Sequence, residues 1–114
     1  MAVIFYASSL PDLTEIPLGV SDHTGHFTGY AILGALVLRA FAGARWDGVT
    51  LQTSIAALAF SSLYGASDEF HQRFVHGRTP AVDDWVADTL GAAAAIAIVY
   101  AAALIVRRAR SRSV

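Results

Sequence analysis

Stretches of apolar residues, separated by helix-breaking or polar ones, mark out this chain. Met1 to Leu10 is apolar but only about half the ~20 residues that cross a bilayer as a helix. It has no basic leader and no small-residue cleavage site, which argues against a secretory signal. It reads as a short N-terminal hydrophobic segment. Pro11 and Pro17 then break the helix, and Asp12 to Ser21 reads as a polar loop. Asp22 to Ala42, Val49 to Ser67 and Trp85 to Val106 are each long enough to cross the hydrocarbon, and three full transmembrane helices are expected from them. Ala42 to Gly48 forms the first turn and Gly77 to Pro80 lies in the second loop. The predicted fold class is all-α, an integral membrane helical bundle with one domain over residues 1–106 and a basic tail over 107–114.

The polar positions inside these runs recur at helical spacing. Asp22, His26 and Tyr30 are four apart and share one face of the first span, with Gly25 and Gly29 beside them as a small-residue pair suited to close helix approach. The second span runs into Ser67-Asp68-Glu69-Phe70-His71-Gln72-Arg73, where Gly65, Asp68, Glu69 and Gln72 fall on one face. In the third span Asp84 and Asp88 are four apart, and Gly91 and Ala95 continue that face. Asp22, Asp83 and Asp84 also stand at helix starts, where a carboxylate meets free backbone N–H groups, and capping is the simpler reading for them. Trp46, Trp85 and the four tyrosines read as packing and interface anchors.

Composition agrees with a membrane setting. The chain has 114 residues, 55% hydrophobic and 15% charged, with a mean hydropathy of +0.52. An ordinary soluble domain is about a quarter charged. The absence of cysteine excludes disulfides, thiolate chemistry and sulfur-ligated metals. A net charge of -1 gives no electrostatic footprint for nucleic acid, and no nucleic-acid partner is expected.

Charge distribution sets the topology. All eight basic residues are arginines. If the three spans alternate, Arg39, Arg45 and the tail arginines 107, 108, 110 and 112 share one side, which the positive-inside rule makes cytoplasmic. The protein is therefore expected in the inner (plasma) membrane, multi-pass, with a cytoplasmic C-terminus. Asp22, His26, Glu69, Gln72, Arg78, Asp84 and Asp88 then gather at the outer face, and one polar pocket roofed by the Arg73 to Val82 loop is the simplest arrangement. Ionisable groups at membrane depth are costly and mark functional sites by default.

Two motifs and a stub resemble the VanZ-like family of small membrane proteins. Asp22-x3-His26-x3-Tyr30 opens a helix. Tyr64-Gly65-x3-Glu69-x2-Gln72-x-Phe74-x2-Gly77-Arg78-x5-Asp84-x3-Asp88-x2-Gly91 follows, and Ser8-Ser9-x-Pro11 precedes both. The chain departs from the family pattern at His23, where a lysine is usual, at His76, where proline is usual, and at Asp88, where asparagine is usual. The family also typically begins with a full span. The resemblance implies a multi-span helical membrane domain and, through the gene that names the family, a link to teicoplanin sensitivity. It implies no molecular activity.

The residues leave three readings of the polar cluster open. In the first, the pocket binds an anionic amphiphile, a lipid-linked envelope precursor or a phospholipid headgroup, with Arg78 as a two-point fork and His26 able to move a proton. If the pocket is catalytic, hydrolysis or transfer at a phosphoryl or acyl centre is the class, with Glu69, Asp68 or Asp84 orienting His26 or acting as base. In the second, Arg78 pairs with Glu69 or Asp84 and the cluster is a loop clamp, or a docking face for a membrane-protein partner or a second copy. In the third, His26, His71, His76, Asp68 and Glu69 ligate a metal. Asp-Glu-Phe-His-Gln lacks the HExxH pattern, and no metal or cofactor is assigned. The favoured function is ligand binding linked to envelope and glycopeptide sensitivity.

Overall fold

The computed structural model describes residues 22–77 and 81–114, with the side chains of Asp22 and His23 outside the description. The N-terminal hydrophobic segment, the Asp12 to Ser21 loop, Arg78 and the loop around Pro80 lie outside the described residues. The described chain is three α-helices: α1 (Asp22–Phe41), α2 (Leu51–Gln72) and α3 (Val82–Arg112). Contacts give their directions. Tyr30 meets Tyr64 and Phe41 meets Phe60, so α2 runs back along α1. Ser62 meets Thr89 and Arg107 meets Val49, so α3 returns against α2.

Local chemistry explains where the helices begin and end. Thr50 and Thr53 form a reciprocal capping box. The Thr50 hydroxyl accepts from the Thr53 N–H at 3.1 Å and the Thr53 hydroxyl accepts from the Thr50 N–H at 2.8 Å. The cap starts α2 at Leu51, two residues after the apolar run begins. At its other end α2 continues through Asp68-Glu69-Phe70-His71-Gln72, because Asp68 and Gln72 face inward while Phe70 faces out. The cap residue of α3, Ala81, has no capping side chain of its own. Its backbone N–H instead donates to Glu69 Oε2 on α2, at 3.0 Å. The basic tail is not a loose extension, since α3 stays helical to Arg112.

The bundle is tied at the arginine-rich end. Arg107 Nη2 donates to the Val49 carbonyl at 2.6 Å. The Arg39 guanidinium lies 4.5 Å from the Trp46 ring centroid and donates to the Ala44 carbonyl. The tight turn there uses left-handed backbone at Gly43 (φ 60°) and Ala44 (φ 58°).

Tyr30, Leu33, Val37, Leu38, Val49 and Ile96 pack into an apolar core, yet this bundle also buries polar residues and exposes large apolar ones. Ser54, Ser61, Asp68, Gln72, Asp84 and Asp88 are buried. Ile32, Leu36, Ile55, Leu63, Leu90, Ile98 and Ile105 are exposed. A soluble helix places its polar face outward. Of the three helices, α3 alone is long and apolar enough by itself to cross a membrane: its best window has a hydropathy of 2.3 and only 22% of that window is buried, unlike the core helix of a soluble protein. The expectation of three full spans is thus met outright by one. In α1 and α2 the hydroxyls, glycines and inward-facing charged groups dilute the apolar stretch, although their 20 and 22 residues would span about 30 and 33 Å.

Of the glycines that the sequence spacing suggested for helix approach, Gly91 makes a close contact and the Gly25–Gly29 pair does not. No described atom lies within 4 Å of a Cβ built on Gly25 or Gly29. A Cβ on Gly91 would stand 2.2 Å from the Phe27 carbonyl oxygen, one on Gly34 2.9 Å from Ala92 Cα, and one on Gly65 3.2 Å from Asp88 Oδ2. These three positions bring α3 against α1 and α2 at the level of the polar cluster.

Candidate functional site

The site is built by one residue from each helix. His26 comes from α1, Glu69 from α2 and Asp88 from α3. His26 Nδ1 and Asp88 Oδ1 are 2.8 Å apart. The Asp88 side chain is fully buried and that of His26 is 10% exposed, so this contact is sheltered from solvent. One donor atom from each of His26, Glu69 and Asp88 lies within 4.8 Å of the others. The sequence expectation gave His26 to Glu69, Asp68 or Asp84. His26 hydrogen-bonds Asp88, which that expectation did not name, and Glu69 also stands within Coulombic reach of it. The Asp88 carboxylate gives the imidazole an ionisable partner, which an amide would not.

Glu69 divides its oxygens. Oε2 accepts the Ala81 N–H and fixes the carboxylate, leaving Oε1 buried with no hydrogen bond among the described residues. Asp88 Oδ2 and the Tyr30 hydroxyl are likewise buried without hydrogen bonds among the described residues. Tyr30, expected only to pack, is 1% exposed, and its hydroxyl is within Coulombic reach of Asp68, Asp88 and Glu69. Its signal was already present, since it stands one turn beyond His26 on the same face.

Of the other expected site residues, Asp84 is 5% exposed and turned into the bundle rather than serving as an exposed cap. It is within Coulombic reach of both Glu69 and Asp88. Gln72 is fully buried, and neither of its amide atoms has a hydrogen bond among the described residues. Asp83 is exposed, as a solvent-facing residue of the first turn should be. Asp22's side chain and Arg78 lie outside the described residues. Among the described residues His71 and His76 do not join the three-residue group.

A cavity of about 300 Å³ opens beside this core. It is lined by Ala66, Glu69, Phe70 and Arg73 of the α2 end and by Ala81, Val82 and Trp85 of the α3 start. The Arg73 guanidinium lies over the Phe70 ring at 5.6 Å, and Trp85 Nε1 donates to the Ser62 carbonyl at 3.0 Å. Glu69 is shared: one edge of its carboxylate faces the core and its residue lines the cavity. Arg73 and Trp85 were not among the expected site residues. Arg73 stands four residues after Glu69, a spacing that places both on one face.

The order of these residues along the chain is what family membership turns on. The VanZ/LLP1 family model matches residues 3–106. The chain belongs to the VanZ/LLP1 family. It is a VanZ-type membrane protein, and the match covers all three described helices apart from the last residues of α3. No curated protein and no solved structure matches it. Family membership fixes the kind of protein. The His26–Asp88–Glu69 geometry is this VanZ-type chain's own and has to be read from its residues.

Proposed function

We propose that all three helices cross the membrane and that the end holding His26, Glu69 and Asp88 faces outward. There the cavity receives the anionic headgroup of a lipid-linked envelope ligand or a phospholipid. The observation that carries this reading is the lining of the cavity. Phe70, Val82 and Trp85 give an apolar wall on the lipid side, while Arg73 places a guanidinium at the same mouth. An amphiphile needs both, and guanidinium suits phosphate in two-point contact. The exposed aliphatic rows of α1 and α2 support the three-span arrangement. Through its family the protein is then linked to the envelope's response to glycopeptides such as teicoplanin.

Native mass spectrometry of the detergent-purified protein tests the reading. Wild type should carry a defined anionic lipid that is lost from Arg73→Ala. Equal, unselective lipid on both would leave the cluster as a loop clamp, with Glu69 holding Ala81.

A second reading is favoured by one contact. A histidine held at 2.8 Å by a buried carboxylate is oriented to take a proton from water or a hydroxyl. In this reading the protein hydrolyses or transfers a phosphoryl or acyl group of the same ligand. Turnover of lipid pyrophosphates or phospholipids by wild type, abolished in His26→Gln, is the expected result. Turnover unchanged by that substitution sinks it.

A further inference from the structure

We propose that His26, Glu69 and Asp88 form a divalent-cation site joining the three helices. Their donors lie within 4.8 Å of one another. Two donors on one ion at about 2.1 Å each stand about 3.4–4.2 Å apart, according to the angle between them. Closing the widest pair therefore takes about 0.6–1.4 Å, within reach of side-chain rotation.

Independent features point the same way. Among the described residues Asp88 Oδ2, Glu69 Oε1 and the Tyr30 hydroxyl are three buried oxygens without hydrogen bonds, and Tyr30 and Asp88 are 1% and 0% exposed. A buried polar group left unmatched costs free energy, and an uncompensated buried charge costs more. Asp68 and Asp84, also buried, stand within Coulombic reach of Asp88. Asp68, Glu69, Asp84 and Asp88 thus bring four carboxylates to this level of the bundle. A cation there would offset the charge and give the free carboxylate oxygens of Glu69 and Asp88 a partner.

The support around the donors is already in place. The Ala81 N–H fixes the Glu69 carboxylate and leaves its second oxygen available. Outer hydrogen bonds of this kind orient metal ligands. Gly65 leaves the space over Asp88 open, since a Cβ there would stand 3.2 Å from Oδ2. One nitrogen and two carboxylate donors, in a chain without sulfur from cysteine, suit Mn2+, Fe2+ or Zn2+. Three protein ligands leave a position open for water or a phosphoryl oxygen. The site shares only Glu69 with the headgroup cavity, so either proposal can fail alone.

The test uses the full chain purified in detergent, stripped with EDTA and dialysed. Mn2+ is titrated and followed by electron paramagnetic resonance, with Zn2+ content read by elemental analysis after desalting. One ion per chain should bind saturably and raise the temperature at which the monodisperse peak is lost. Asp88→Asn and Glu69→Gln should each weaken binding about tenfold or more. Glu69→Gln keeps a carbonyl acceptor for the Ala81 N–H, so its fold is expected to hold. Folded wild type that shows no saturable binding at millimolar Mn2+ overturns the proposal, as does equal affinity in a folded Glu69→Gln protein.

Discussion

Replacing Gly91 with alanine should separate α3 from α1 and open the site. The new Cβ would lie 2.2 Å from the Phe27 carbonyl oxygen and 2.9 Å from its carbon. A carbon and a carbonyl oxygen in close contact ordinarily stand about 3.3 Å apart, so the backbones must part by about 1.1 Å. Both atoms belong to helix backbone and cannot swing aside. Phe27 follows His26, and Asp88 is one turn before Gly91. A rigid shift of that size would stretch the 2.8 Å His26–Asp88 contact well past hydrogen-bond range. Overpacking costs about 1–3 kcal/mol and a lost buried hydrogen bond about 1–3 kcal/mol, together about 2–6 kcal/mol. The matched control is Gly29→Ala. Its Cβ meets no described atom within 4 Å, and alanine is favoured over glycine in a helix by up to about 1 kcal/mol. Heating the detergent-purified variants and measuring the monodisperse fraction by size exclusion reads both. Gly91→Ala should lose its midpoint by about 10 °C while Gly29→Ala stays level or rises. Equal midpoints for the two, or a gain in Gly91→Ala, would refute the assignment of the close contact.

Two further substitutions probe the opposite end. Arg107→Ala removes the charged donor to the Val49 carbonyl and should cost about 1.5–3 kcal/mol in the same heating assay, with Arg107→Lys recovering part of it. Ala44→Gly relieves a left-handed backbone at φ 58° and should stabilise by about 0.5–1 kcal/mol, a gain absent from Ala40→Gly within α1.

The three helices were legible as long apolar runs, one of which, α3, is apolar enough by itself to cross a membrane. The first run was expected to end at Ala42, and α1 ends at Phe41. The second helix starts two residues later than the apolar run, and its helical spacing runs on to Gln72 as the shared face of Gly65, Asp68, Glu69 and Gln72 implied. Its start depends on the Thr50–Thr53 capping box, and its end runs on because Asp68 and Gln72 point inward. The third starts early because its N-terminal N–H is received by Glu69, a residue of another helix, which spacing along α3 cannot reveal. What the tail lacked in apolar residues it did not need, since arginine is a good helix former.

The site divides in the same way. Faces within one helix were readable: His26 with Tyr30, Asp68 with Gln72, Asp84 with Asp88. Pairings between helices were not. His26 and Asp88 are 62 positions apart in sequence, and their pairing depends on how α1 rotates against α3. That rotation is fixed by Gly34 and Gly91 meeting α3 and α1 backbone, whereas the glycine spacing in the first span drew attention to Gly25 and Gly29.

The most direct test of the membrane arrangement is cysteine accessibility. The chain has no cysteine, so single substitutions need no cleared background. His76 and Ser113 are exposed at opposite ends of the bundle, one after α2 and one after α3. His76→Cys and Ser113→Cys are treated in intact cells with a membrane-impermeant maleimide. Three spans with an outward site predict that His76→Cys is labelled at once and Ser113→Cys only after the membrane is opened. Labelling of both from outside, of neither, or of Ser113→Cys alone contradicts that arrangement.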